Sequence, residues 1–373
     1  MDISFVDRKG ENKSVNTTAG TFKPLSSDGQ HPLNCGSSFK RFRRTVVNMT
    51  RKDFLKTAGA CALGAVGTAA GASAPAAGTE TGRAKVYFSP VIDSDHLNKL
   101  YDLIKDNLSG KIAIKLHTGE RHGPNILPRE MVKSLQARIP ESTIVETNTL
   151  YHGDRYTTED HLKTLEINGW TFCPVDIMDA EGTVNLPVKG GKHFKEVSMG
   201  GHIVNYDSML VLTHFKGHAM GGFGGAIKNI SIGIASSGGK AWIHSAGTTK
   251  DVGKVWGNLP PQDDFLESMT EAAKAITDHC GDKILYISVA NNLSVDCDCD
   301  SSPEDPKMGD IGILASLDPV ALDRACTDLV RSSKDHGKIH LIERIDSRHG
   351  MHTLDYAEQL GMGSQKYELV EIN

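Results

Sequence analysis

The sequence predicts an α/β fold with three layers, a mostly parallel or mixed sheet carrying helices on both faces. Three observations support this. From residue 85 onward, short apolar segments alternate with segments of helical period. The apolar runs at 209–213 and 283–289 are almost continuous, as expected of buried strands in a parallel sheet. Polar and glycine-rich stretches follow several predicted strands directly, where open α/β sheets bind ligands.

In chain order, residues 84–88 read as a strand. Leu97, Leu100, Tyr101, Ile104 and Leu108 recur at helical spacing, so 95–108 is an amphipathic helix capped by Asp93 or Ser94. Residues 111–116 form the next strand, which opens into His117-Thr118-Gly119-Glu120. Pro128 suits a first helical turn and starts a helix through Ala137. A strand at 143–146 precedes a helix at 158–167, with Thr157 or Thr158 as cap. Residues 171–206 form a β-rich excursion with short runs at 174–178, 183–188 and 193–197. Phe265, Met269, Ala272, Ala273 and Ile276 share one face of a helix at 265–278. Strands at 283–289 and 311–315 follow. Asp318 and Pro319 supply the N-cap and first position of a helix through Val330. A helix at 354–360 and a strand at 367–371 close the chain. Right-handed crossovers would bring His117, Glu120, Asn148, His152 and His214 to one rim beyond the strand ends.

The chain has 373 residues, enough for a large core, and a formal net charge of -5. That charge is uneven: residues 1–76 carry 11 Lys+Arg against 5 Asp+Glu, and the remainder 30 against 41. An acidic body argues against nucleic acid as a partner. The basic front end reads as an export signal. Thr50-Arg51-Lys52-Asp53-Phe54-Leu55-Lys56 resembles a twin-arginine signal, with lysine at the second arginine position. A weakly hydrophobic Ala/Gly run follows, and Ala74-Pro75-Ala76 offers a cleavage site. Residues 49–76 are thus expected to direct export to a periplasmic or other extracytoplasmic location, leaving no stable membrane span in the mature form. The alternative is a short helix or a disordered tail. Met49 stands just before the signal, which makes residues 1–48 an over-extended gene start or a disordered arm. The body, 84–373, is then a single α/β domain. Of seven cysteines, two lie in the front end, and the remaining five give no disulfide framework.

The stretch from 214 to 244 concentrates His214, His218, His244, Lys216, Lys228 and Lys240 among closely spaced glycines. Such glycines are tolerated where backbone approaches a ligand or another backbone. Lys228 sits between glycine turns and an apolar segment at 230–234. A lysine held there binds an anionic group or, when desolvated, acts as base or nucleophile. The bland alternative is a solvated loop lysine. His214 and His218 would chelate a metal from one helical face, but Gly217 and the preceding strand favour a loop with hydrogen-bonded histidines. Gly221-Gly222-Phe223-Gly224-Gly225-Ala226-Ile227-Lys228 matches neither nucleotide-loop pattern and leaves a backbone anion nest as its candidate role. Cys297 and Cys299 flank Asp298, a spacing better suited to a soft metal than to a disulfide. Asp296, Asp298 and Asp300 would raise the thiol pKa values unless a cation is near; otherwise this is a turn with incidental cysteines.

Several stretches together resemble the domain of unknown function 362 family, also described as uncharacterised iron–sulfur-centre proteins. They are Lys115-Leu116-His117-Thr118-Gly119-Glu120, the GGAIKNISIG segment, Trp242-Ile243-His244-Ser245, VDCDCD around Cys297, and DIGILASLDPVALDRACTDLV from Asp310. The resemblance implies an α/β fold and no settled reaction. Many members carry a ferredoxin-like insert after the His-Ser element. Here 18 residues without cysteine separate Ser245 from Asp264, so the resemblance implies a member lacking that insert. An iron–sulfur cluster is expected to be absent, because cubane clusters usually need four thiolates. The order His218, Lys228, His244 is also similar to the histidine–lysine–histidine arrangement of nickel-pincer lactate racemase. Carried over, Lys228 would attach a cofactor or bind an anion, and His218 and His244 would be the metal ligand and acid/base pair.

The expected site therefore has Lys228, His218 and His244 as catalytic residues. Lys115, His117, Gly224, Gly225 and Asn229 are expected to bind a cofactor, and His214, His218, Cys297 and Cys299 to bind a metal. The corresponding function is a metal- or cofactor-dependent enzyme, or a redox-linked protein, acting on a small anionic ligand. A divalent metal is its candidate cofactor and a redox protein its candidate partner. The alternative is a non-catalytic metal- or cofactor-binding protein that lost the family's iron–sulfur module.

Overall fold

The computed structural model describes residues 83–139 and 141–373, together with two short strands, β1 (Ile3–Val6) and β2 (Asn12–Val15), paired as an antiparallel hairpin. The signal-like stretch at 49–76 lies outside the described residues. From residue 84, β3 (Ala84–Ser89) leads to α1 (Ser94–Asp102), and β4 (Ile112–Lys115) leads to α2 (Arg129–Ala137). β5 (Ser142–Glu146) leads to α3 (Thr158–Ile167) and β6 (Val175–Ile177). A small hairpin, β7 (Thr183–Pro187) and β8 (Glu196–Gly200), precedes β9 (Ser208–His214). The glycine-rich stretch folds as a second hairpin, β10 (Lys216–His218) with β11 (Gly222–Gly224), then α4 (Ala226–Ser231) and α5 (Ser237–His244). α6 (Gln262–Cys280), β12 (Ile284–Ala290) and β13 (Gly312–Ser316) follow. α7 (Pro319–Ser332), α8 (Lys338–Ser347), α9 (His352–Gln359) and β14 (Tyr367–Glu371) complete the body.

Local chemistry explains the element starts. The Asp93 carboxylate accepts the His96 N–H at 2.8 Å and caps α1. Thr157 caps α3, and Asp318 accepts the N–H groups of Val320 and Ala321 at 2.8 and 2.9 Å, with Pro319 at the first position of α7. α1 is shorter than the predicted 95–108. Residues 105–107 form a 3₁₀ turn, and Gly110 at φ +68° redirects the chain into β4.

The main sheet has eight strands in the order β14-β3-β13-β12-β9-β4-β5-β6. β13 runs antiparallel to both neighbours, and the other pairs are parallel, so the sheet is mixed. Alternate side chains of the central strands enter two separate cores. Met209, Val211, Ile284 and Tyr286 pack with α4, α6, α7, α8 and α9. Leu210, Leu212, Leu285, Ile287 and Val289 pack with α1, α2 and α3. This is the expected three-layer α/β fold. Among the described residues no helix is long and apolar enough to cross a membrane.

β4 and β9 are adjacent, yet the strand after β4 lies on its far side, and the next sheet strand after β9 lies on the other. Their C-terminal loops therefore diverge and leave a crevice. The functional side chains gather there.

Candidate functional site

A cavity of ≈ 320 Å³ opens beyond the ends of β4 and β9. Its wall includes His117, His214, His218, Lys228 and His244, and also Gly224, Gly225, Asn229 and Cys299. Residues far apart in sequence thus meet, for a traceable reason. Gly217 in β10 lies against the backbone of Val295: its N–H donates to the Ser294 carbonyl at 2.8 Å, and a Cβ there would stand 2.2 Å from the Val295 oxygen. Only a glycine lets β10 press against the loop that carries the cysteines. Sulfur atoms of Cys297 and Cys299 and a ring nitrogen of His218 then lie within 4.8 Å of one another.

Lys228 projects from α4, its ammonium 3.3 Å from Cys297 Sγ. The Cys297 thiol is held well below its ordinary range, first by the hydrogen bond from Cys299 and then by the ammonium groups of Lys228 and Lys216. The Cys299 thiol is pushed well up by the same hydrogen bond and by burial. These opposite directions make Cys299 the donor and Cys297 the acceptor of the hydrogen bond between them. Burial works against charge on Lys228, but the two cysteines outweigh it and raise its pKa. The expectation that the aspartates would raise the thiols carried the condition that no cation is near; at Cys297 the Cys299 hydrogen bond and the two lysines outweigh Asp298, and Cys299 is raised by Cys297 and burial and not by an aspartate.

The cavity histidines differ in which nitrogen they present. His117 Nδ1 accepts the Gly119 N–H at 3.0 Å. His218 Nδ1 accepts the N–H groups of Gly221 and Met220 at 2.8 and 3.3 Å. As neutral rings both carry their proton on Nε2. His244 Nδ1 instead donates to the Lys240 carbonyl, one helical turn back, at 2.7 Å, which leaves a lone pair on Nε2. Burial lowers the pKa of all three, that of His244 to about 4, so they are neutral rings near neutral pH.

Other expected site residues are tied up by the protein itself. His214 is not free to ligate a metal, since Nδ1 faces the Asp298 carboxylate at 2.9 Å and Nε2 the Asn291 carbonyl at 2.7 Å. Lys115 lies behind the wall, fully buried, bonded to Glu146 at 2.9 Å and to the Leu116 carbonyl at 2.7 Å. Asn229 Nδ2 bonds Thr213 Oγ1 at 3.0 Å and ties α4 to β9. The anion nest at Gly224 and Gly225 is filled from within. The Asp323 carboxylate takes the N–H groups of Ala226 and Ile227 at 2.7 and 3.0 Å, and burial raises its pKa to about 7.

Several wall residues carried no assigned role in the sequence. Lys216 pairs with Asp298 at 2.8 Å, and Arg155 with Glu120 at 2.6 Å. Tyr151 donates to Glu120 at 2.7 Å, and Lys240 donates to Thr147 Oγ1 and to the Asn148 and Ala235 carbonyls at 2.6, 2.7 and 2.6 Å. Burial lowers Lys240 to about 8. The available signal for Tyr151 and Arg155 was their place in the loop after β5.

The fold and site define an α/β protein with a cavity at a topological switch point, walled by a cysteine, lysines and histidines. The chain belongs to the family described as Domain of unknown function (DUF362), whose model matches residues 112–328. No curated protein matches it. Among solved structures it is similar to the lactate racemase apoprotein from Thermoanaerobacterium thermosaccharolyticum, at 12% identity and a TM-score of 0.39, over 66% of this chain and 57% of that one. It is also similar to a protein from Thermotoga maritima, at 14% identity and a TM-score of 0.36, over 64% of this chain and 59% of that one. The chain thus spans less than two thirds of either protein.

Proposed function

We propose that this cavity is the active site of a metal- or cofactor-dependent enzyme, or of a redox-linked protein, acting on a small anionic ligand. The observation that carries the reading is the convergence of Cys297, Cys299 and His218 within 4.8 Å beside the Lys228 ammonium, with Cys299, His218 and Lys228 on the cavity wall and Cys297 just behind it. Two sulfurs and an imidazole suit a soft divalent ion with a coordination position left open. Such an ion, when bound, would supply Lewis-acid chemistry to a ligand oxygen. Among the described residues this donor set supplies two thiolates, since Cys173, Cys280 and Cys326 stand outside it, and a four-thiolate iron–sulfur cluster would need two more. Lys228 holds the anionic group, and His244 Nε2 accepts a proton.

A second reading, in which the Cys297 thiolate acts without a metal, is favoured by His218. Its Nδ1 accepts backbone N–H groups, so Nε2 presents a proton, not a lone pair. Cobalt(II) titration of the purified full chain separates the two. A single equivalent giving sulfur-to-cobalt charge-transfer absorption, lost in Cys297→Ser, is expected. No such band, with calorimetry also showing no binding, would overturn the metal reading in favour of the second.

A further inference from the structure

We infer that the cavity takes a monocarboxylate with an apolar body, an aliphatic or aryl acid, and not a sugar phosphate or an inorganic anion. The inference rests on reading this cavity as a small-anion site and names the ligand class.

Most polar groups around the cavity are already partnered. Lys216 is held by Asp298, Arg155 by Glu120, and Lys115 by Glu146 behind the wall. Lys240 uses its three N–H donors on three protein oxygens. His214 has both nitrogens occupied, and the Tyr151 hydroxyl is engaged by Glu120. What remains for a ligand is short. Lys228 has one partner, Cys297 Sγ, for its three N–H groups. Nε2 of His117 presents a proton and Nε2 of His244 a lone pair, neither with a protein partner among the described residues. These few donors match the two oxygens of a carboxylate. A sugar ring would bring several hydroxyls against the single free acceptor of His244, and burying the others unpaired is unfavourable.

Apart from Asn229 and the threonines at 147, 149 and 213, the rest of the wall is apolar. Leu150 packs with Ala241 and Val255, and Ile232 and Met220 also line the space. The Trp256 ring lies 6.3 Å from the ring of His244 and is 52% exposed, although no core packing requires it there. A ligand's apolar body would cover these surfaces while its carboxylate meets Lys228. The volume is at the small end for ligand pockets, as suits an acid of a few carbons or one ring.

The test is calorimetric and tryptophan-fluorescence titration of the full chain with acetate, butanoate, hexanoate and phenylacetate, and with inorganic phosphate and ribose 5-phosphate. Affinity should rise about fourfold per added methylene up to hexanoate, as burial of a CH₂ predicts. Phosphate and ribose 5-phosphate should bind at least tenfold more weakly than hexanoate. Trp256→Ala should weaken hexanoate about tenfold and acetate less than twofold. Lys228→Met should weaken every acid, and Lys228→Arg should restore part of the loss if the role is charge recognition. An affinity independent of chain length, absence of acid binding, or tighter binding of either phosphate would overturn the inference. Running the series with and without cobalt keeps the two readings separable. A graded series without a cobalt band removes only the metal, and a cobalt band with a flat series removes only this ligand class.

Discussion

Glu146 at the end of β5 offers the sharpest test of how the site is held. Its carboxylate takes the Lys115 ammonium at 2.9 Å and the Thr118 N–H and hydroxyl at 2.9 and 3.1 Å, with Arg155 at 3.8 Å. Glu146→Gln preserves the shape and removes the charge. Two cations are then left buried with one anion fewer, a change that typically costs about 3–5 kcal/mol. The carboxyl itself gives a similar figure. Burial would raise its pKa, but Lys115 and Arg155 outweigh that and bring it from 4.5 to about 2, which corresponds to about 3 kcal/mol. Urea denaturation at pH 7 should therefore show E146Q less stable by about 3 kcal/mol, or by roughly 6–12 °C in melting temperature. The sign of the pH dependence follows from the depressed pKa. The stabilisation is complete above the unfolded carboxyl's pKa near 4.5 and is lost as pH falls towards about 2. The gap between wild type and variant should thus narrow between pH 5 and pH 3. Lys115→Met in the E146Q background should recover part of the loss, because it removes the stranded cation. A gap under about 0.5 kcal/mol at pH 7, or one that does not narrow on acidification, would refute the assignment of this pair as the support beneath the cavity.

Other perturbations probe the parts around that support. Gly217→Ala puts a Cβ 2.2 Å from the Val295 oxygen and must push the cysteine loop away; a loss of about 2 kcal/mol in urea melts and at least a tenfold drop in cobalt affinity are expected. Unchanged cobalt affinity would show that Gly217 does not set the sulfur positions. Iodoacetamide at pH 7 should label Cys297 well ahead of Cys173, Cys280 and Cys326 by peptide mass mapping, and Lys228→Met should slow that labelling by removing the cation that favours the thiolate. Equal labelling of the four would count against the thiolate. Glu267 bridges Lys192 at 2.7 Å, His193 at 2.7 Å and His352 at 3.1 Å, so Glu267→Gln should loosen the 190–194 loop from α6, seen as faster amide exchange there. Exchange no faster than in wild type would mean that the neighbouring Glu271, which takes the N–H groups of Lys192, His193 and Phe194, holds the loop by itself.

The fold was legible where burial on both faces or capping chemistry left a mark in the sequence. The runs within β9 and β12 announce central strands because their side chains enter apolar cores on both sides of the sheet. Asp318 with Pro319 announces α7 because cap and first-turn chemistry are local. α8 escaped notice because only Leu341 and Ile345 of its ten residues are buried, too sparse a stripe to stand out among charged neighbours. α4 and α5 escaped because their neighbouring glycines read as loop, when those glycines instead allow close contacts. A Cβ at Gly225 would strike the Asp323 carboxylate at 2.4 Å, and one at Gly239 the Ser198 carbonyl at 1.9 Å.

The site was legible as a set of residue types and not as a set of available atoms. Lys216, Lys228 and Lys240 look equivalent in one glycine-rich stretch. What separates them is supplied from elsewhere: Asp298 for Lys216, the Thr147–Asn148 turn for Lys240, and a sulfur for Lys228. Availability to a ligand is therefore a long-range property. The histidines show how a missed helix propagates into chemistry. Once α5 is seen, His244 in its last turn reaches the Lys240 carbonyl through Nδ1, and that hydrogen bond fixes a lone pair on Nε2. His218, at the end of a strand, takes its tautomer from the turn that follows and presents a proton instead. Two histidines that look interchangeable in the sequence thus become a donor and an acceptor on the same cavity, and the pairing of acid with base in any reaction here depends on that difference in secondary structure.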